Sequence, residues 1–327
     1  MNSDSSVNLF EDIYSNILHD KLRISNKEAD NFLNKAKEGG EITERFSFEN
    51  WFKDRFSPNC ILIDEEEYAK MCIDALKILE TTAGTDYGTS RQRDMGQLWA
   101  DMTRGYLGEL AFAKFLNDRW GISSELGHER GELADFLPSD IKLISRNKEE
   151  FRPPKINIGI KTGKSNGIWL DITGDQFHHS DIHVFVKVAA GRDHLFAFFK
   201  HLSVFKDKIL KKGEDIGSIS ESESKDIFNK IPSFVPIPAY ICGFVEKDKT
   251  YERLPYKGKK GRKNYEIISW NGPYTPDDIA EIKSRENISG SVKFTGIGVF
   301  SNNKRYLFNS GNLLWKNEDW KRVLDKI

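Results

Sequence analysis

The chain has 327 residues, 38% hydrophobic and 30% charged, with a formal net charge of −1. That balance excludes a disordered polyelectrolyte and a uniformly basic nucleic-acid coat, so any grip on a polyanion has to come from local patches. Three scattered cysteines (Cys60, Cys72, Cys242) with no CxxC pair suit a reducing compartment, and no apolar run is long enough for a membrane span or a secretory leader, so a cytoplasmic protein with no membrane partner is expected.

Residues 1–60 are charged with scattered aromatics and predict short helices laid on a larger body. Tyr68, Met71, Cys72, Ala75, Leu76 and Leu79 recur at three- and four-residue spacing, which predicts a helix over 64–82 with Asp64 as N-cap. A second helix is expected over 93–116, with Met95, Leu98, Trp99, Met102, Tyr106, Ala113 and Leu116 on its apolar face. Gly105 and Gly108 lie inside it, and each costs up to ~1 kcal/mol relative to alanine, which implies close approach of another backbone.

Apolar runs predict strands at 133–137, 156–162, 167–172, 182–188, 195–199 and 239–244, with a helix at 200–211 and a charged flexible loop at 212–226. This order gives the α/β (α+β) class, a central mixed β-sheet flanked by helices. From 251 the composition changes: Lys257, Lys259, Lys260, Arg262 and Lys263 crowd one Gly-containing segment, followed by weak strands near 292–299 and 304–308 and a short helix near 316–325. The expected division is an N-terminal helical extension (1–60), a core (61–250) and a C-terminal basic appendage (251–327).

Three residues carry the chemistry. Glu109 has Gly105, Tyr106, Phe112 and Ala113 as helical neighbours, so it points inward and needs a cation or a metal, or else a buried salt bridge. Asp135 sits in LADFL, where a mid-strand aspartate is disfavoured unless it ends the strand or has a task. Lys161 closes INIGIKT on the face opposite Ile156, Ile158 and Ile160; by itself it is an ordinary edge lysine.

Taken in order, RGYLGELAFAKFL (104–116), LADF (133–136) and INIGIKT (156–162) resemble the PD-(D/E)XK nucleases, and HSDIHVFVKV (179–188) and AYICGFV (239–245) resemble the later core strands of that fold. The resemblance covers about residues 95–245. It implies a restriction-endonuclease-like core that hydrolyses phosphodiesters with Mg²⁺ and leaves 5′-phosphates. Asp135 and Glu109 would be metal ligands, and Lys161 would position water and stabilise charge. The chain departs from the family at Gly159, where the second acid stands two residues before the lysine. Glu109 is the expected substitute, Gly159 leaving it space; Asp171 is the next candidate ligand and Asp140 the third.

Other polar groups fill supporting roles. Arg91, Gln92 and Arg93 precede the helix of Glu109 and, with Lys164 and the basic residues 257–263, are the expected DNA contacts. His178, His179, Asp181 and His183 form a dense cluster that could hold a transition metal, although a polar entry to a buried strand explains it better. There is no P-loop, since position 158 is Ile where the upstream glycine would be needed. The leading reading is a type II restriction endonuclease acting on double-stranded DNA as a homodimer. A repair or recombination nuclease, a DNA-binding module with a degenerate nuclease site, and a protein unrelated to nucleic acid are the alternatives.

Overall fold

The computed structural model describes residues 15, 16, 18–20, 24–78, 94–127, 139–146, 149–251, 256–299 and 304–327. Ahead of the core, α1 (Asn26–Glu38) starts at Ser25, whose hydroxyl and Glu28 form a reciprocal cap. A helical turn and a π-helical segment (Trp51–Phe56) lead into β1 (Cys60–Ile63). Asp64 caps α2 (Glu65–Lys77), and Asp94 caps α3 (Met95–Trp120), which ends at Gly121 in the left-handed conformation at φ 62°. Then come β2 (Ile122–Leu126), β3 (Ile141–Arg146), β4 (Ile158–Lys164), β5 (Trp169–Thr173), the short α4 (Gly174–Phe177) and β6 (Ile182–Val188).

The next stretch differs from expectation. The run at 195–199 is not a strand but the middle of α5 (Arg192–His201). Its buried residues His194, Ala197 and Phe198 are three and four apart, a helical spacing that the continuous apolar run LFAFF obscures. The helix expected over 200–211 is a π-helical segment (Phe205–Leu210), and the loop expected over 212–226 holds α6 (Lys211–Asp215) and the start of α7 (Glu221–Lys230). Ser220 and Glu223 make a capping box there, so a charged composition concealed a helix start.

After α7, β7 (Ile237–Glu246) completes a four-stranded sheet in the order β1-β7-β6-β4. β4 and β6 run parallel, while β6–β7 and β7–β1 are antiparallel, so the sheet is mixed as expected. Every residue of β6 is buried, which requires cover on both faces. On one face Ile158, Ile160, Val184 and Val186 pack with Leu107, Ala111, Phe112 and Phe115 of α3. On the other, Phe185, Tyr240 and Cys242 pack with Phe32, Leu33, Trp51 and Phe56 of the N-terminal helices.

The C-terminal segment is built into this body. It contains β8 (Lys257–Lys260), β9 (Tyr265–Ser269), β10 (Asn271–Tyr274), α8 (Pro276–Glu286), β11 (Val292–Phe294), β12 (Arg305–Asn309) and α9 (Asn317–Leu324). β12 pairs antiparallel with β5, which lies in the crossover from β4 to β6. Trp320 of α9 is fully buried against Phe112, Phe115 and Phe244. A buried polar knot fastens the remaining parts. Glu41 accepts from Lys187 Nζ at 2.5 Å, Ser310 Oγ at 2.6 Å, Tyr240 Oη at 2.9 Å and Trp51 Nε1 at 3.0 Å. Burial alone would raise the Glu41 pKa, but the Lys187 and Arg55 charges and these hydrogen bonds outweigh it and hold the carboxyl down at about 2.

Candidate active site

β4 is the edge of the four-stranded sheet, and its two faces meet different partners. Thr162 points at α3: its Oγ1 donates to the Gly105 carbonyl at 3.3 Å, and a Cβ on Gly108 would lie 1.9 Å from that oxygen. The close approach expected at these helical glycines is therefore real at Gly108, and the intruder is a threonine side chain rather than backbone. At Gly105 a Cβ would meet nothing within 4 Å. Glu109 follows directly on α3 and is half-buried.

Lys161 faces the opposite way by strand alternation. It is half-buried, lies across from Phe185 in the parallel register, and donates from Nζ to Gln176 Oε1 at 3.0 Å. Gln176 belongs to α4, the turn of helix after β5. Nothing in the sequence ties a glutamine fifteen residues downstream to Lys161; only the crossover path brings it there.

The outer edge of β4 is closed by Ser139 and Asp140. Asp140 Oδ2 accepts from the Ile160 N–H at 2.5 Å, the Asp140 N–H donates to the Ile158 carbonyl at 2.9 Å, and Ser139 Oγ accepts from the Ile158 N–H at 3.2 Å. These two residues thus satisfy backbone groups that a neighbouring strand would otherwise bond. Asp140, the third candidate from the sequence, is the described aspartate placed against the lysine strand. Asp135 lies outside the described residues, as do Arg91, Gln92 and Arg93.

Gly159 does not leave space for Glu109. A Cβ there would lie 2.8 Å from both His183 Nδ1 and Ser180 Oγ, so the imidazole and the hydroxyl fill the position on the Lys161 face. Glu109 comes from the layer on the other side. Asp171 is elsewhere too: on β5 it is held by Arg305 of β12, Nε to Oδ1 at 2.7 Å and Nη2 to Oδ2 at 2.8 Å. Both oxygens serve that pair, so Asp171 does not join the lysine strand as a ligand.

The histidine cluster disperses in the same way. His183 is buried and its Nε2 meets the Phe177 carbonyl at 3.1 Å; since a carbonyl only accepts, Nε2 carries the proton and Nδ1 is left without a hydrogen-bond partner. Burial is the main reason its pKa falls to about 4, with the Lys161 and Lys247 charges adding to it. Asp181 accepts from Lys247 Nζ at 3.0 Å and from the Asn157 N–H at 2.7 Å, and His178 Nε2 lies 3.4 Å from the Tyr306 hydroxyl. Among the described residues no three His, Cys, Asp or Glu side chains converge as a metal cluster. Burial also pushes the thiols of Cys60 and Cys72 up, to about 12 and about 11, so neither is a thiolate nucleophile at neutral pH.

Of the basic residues expected to touch DNA, those among the described residues are exposed. Lys164 ends β4; Lys257, Lys259 and Lys260 lie on β8, an edge strand paired with β9, and Arg262 and Lys263 occupy the turn between the two. The basic segment is a hairpin of β8 and β9 with the turn between them.

No protein-family model, curated protein or solved structure matches this chain. Among the described residues no helix is long and apolar enough to cross a membrane. The site therefore has to be read from its own geometry.

Proposed function

We propose that this chain is a Mg²⁺-dependent, sequence-specific double-stranded DNA endonuclease of the type II restriction kind, working in the cytoplasm as a homodimer. One observation carries the reading: a lysine fixed by a glutamine on an edge strand whose backbone is held by an aspartate. That is the residue chemistry a phosphodiester requires. The substrate is anionic, and hydrolysis builds charge on the phosphorane and on the leaving 3′ oxygen.

Magnesium takes oxygen ligands, often one or two carboxylates with water, so Asp135 and Asp140 are the acids that would hold it beside Lys161, whereas Glu109 rises from the layer on the opposite face of β4. Bound there, it would lower the pKa of a water and neutralise charge on the scissile phosphate. Lys161 Nζ would orient the attacking water and stabilise the transition-state oxygens. Gln176, an acceptor for Nζ, would keep that ammonium aimed. The exposed cations of β8 and its turn would grip the phosphate backbone.

The test is cleavage of supercoiled plasmid and genomic DNA with Mg²⁺, comparing the native chain with Lys161→Ala. Discrete fragments with 5′-phosphate ends, lost by at least about a thousandfold in Lys161→Ala with retained DNA binding, are expected. A second reading, a DNA-binding module with a degenerate site, is favoured by the packing of His183 and Ser180 against Gly159, where the family's acid would stand. Retarded DNA that is never nicked with Mg²⁺ or Mn²⁺ would decide for it.

A further inference from the structure

A second cleft lies between α2, α3 and the start of α5. It encloses about 150 Å³. Its floor is apolar, with Tyr68, Leu107 and Leu195. One wall is Trp99, whose indole is fixed by donation to the Cys72 carbonyl at 2.8 Å. The rim carries two guanidinium groups, Arg104 beside Asp101 at 3.1 Å and Arg192 beside Asp193 at 3.4 Å, and no carboxylate is among the described residues of the lining.

Two donors there lack a strong hydrogen-bond partner. Arg104 uses Nη1 on Asp101 at 3.1 Å, while its Nε is shielded from solvent and has no hydrogen-bond partner. The hydroxyl of Thr103, on a residue only 5% exposed, is also shielded, with only the weakly bonding Cys72 thiol beside it. Buried polar groups are normally paired, because leaving one unsatisfied forfeits its hydration without replacement. α5, ten residues long, begins at this cleft with Gly191 as its N-cap, and a glycine has no side chain to accept the first-turn N–H groups. Ala190 and Gly191 follow the end of β6, so the cleft opens at the carboxyl end of the parallel β4–β6 pair, where α/β sheets place ligands.

We propose that this cleft binds a phosphate monoester. The phosphate would sit between Arg104, Arg192 and the N-terminus of α5, and a flat organic group would lie against Trp99. Two guanidiniums with a helix N-terminus present more donors than a carboxylate can use, and they match a dianion with three free oxygens. The apolar floor would take a body that inorganic phosphate lacks. This site is separate from Lys161 and does not depend on the nuclease reading, so its test uses the full chain without divalent metal or DNA.

The experiment is isothermal titration with inorganic phosphate, thymidine 5′-monophosphate and thymidine, on the native chain and on Arg104→Gln and Arg192→Gln. The expected result is binding of the monophosphate, weaker binding of inorganic phosphate and none of thymidine. Arg104→Gln should weaken monophosphate binding roughly tenfold or more, and Arg192→Gln severalfold. If inorganic phosphate binds as tightly as the nucleotide, and both variants still weaken it, the phosphate alone is the ligand and the site stands. Should Arg104→Gln fail to fold, Arg192→Gln decides, since Arg192 is an exposed side chain. Absence of binding, or affinity unchanged in the folded variants, overturns the proposal.

Discussion

His183 shows how one buried side chain sets both a limit and a signal. Its ring stacks on Phe177 at 5.4 Å and blocks any side chain at Gly159. Gly159→Asp, which writes the family's acid back into the strand, should therefore not raise activity. A Cβ 2.8 Å from two neighbours forces a shift, and overpacking of this kind costs typically ~1–3 kcal/mol, readable as a lower urea midpoint. A gain in Mg²⁺-dependent cleavage at unchanged stability would contradict the packing described. The same histidine also predicts a pH response. Burial lowers the pKa of His183 to about 4 from an ordinary 6.5, and burial lowers that of His194 as well. The unfolded chain then binds protons that the folded chain refuses. Stability is full above about pH 6.5 and falls as the pH drops through the window towards 4. Thermal midpoints measured from pH 7.5 to 4.5 should decline, and less so in His183→Gln; a flat native profile would remove this account.

At the scale of elements, the sequence conveyed most where one physical signal was strong. The period-matched faces of α2 and α3, with Asp64 as the cap of α2, located both helices, and the alternating or fully apolar runs located β4, β6 and β7; the Asp94 cap of α3 came only with the structure. It misled where two signals competed. LFAFF has strand-like content but helical burial at His194, Ala197 and Phe198, and the acidic stretch before Asp226 contains a capping box at Ser220. Lys161 and Thr162 were legible as opposite faces of one strand, but Gln176, which fixes Lys161, was not, because its proximity follows from how β5 and α4 cross between β4 and β6. The role given to Gln176 is testable: Gln176→Leu should lower kcat of DNA cleavage roughly tenfold to a hundredfold and leave KM within a few-fold, since an aiming group acts on the transition state more than on binding. An equal loss in KM alone would make Gln176 a binding residue instead.

For the whole molecule, the buried knot around Glu41 joins segments far apart in sequence: the N-terminal helices, β6, β7 and the turn after β12. A carboxylate and an ammonium with side-chain exposures of 0% and 2% are stable only as a pair. Lys187→Met should cost about 3–5 kcal/mol, because it leaves Glu41 charged and unmatched, and adding Glu41→Gln should recover part of the loss. Strict additivity of the two in denaturant unfolding would mean that the pair is not coupled. The three segments expected from composition therefore share their interior, which composition could not reveal, since it records where polarity changes along the chain and not which surfaces meet.

The pairing of β5 with β12 also governs the order of events during synthesis. β5 leaves the ribosome long before its partner, and two of the phenylalanines that receive Trp320, Phe112 and Phe115, emerge earlier still. The lysine-bearing strand must therefore wait, with one crossover unzipped, until the final quarter of the polypeptide has been made. A ribosome stalled near residue 300 would hold a protein that has every proposed metal ligand and no finished body to aim them.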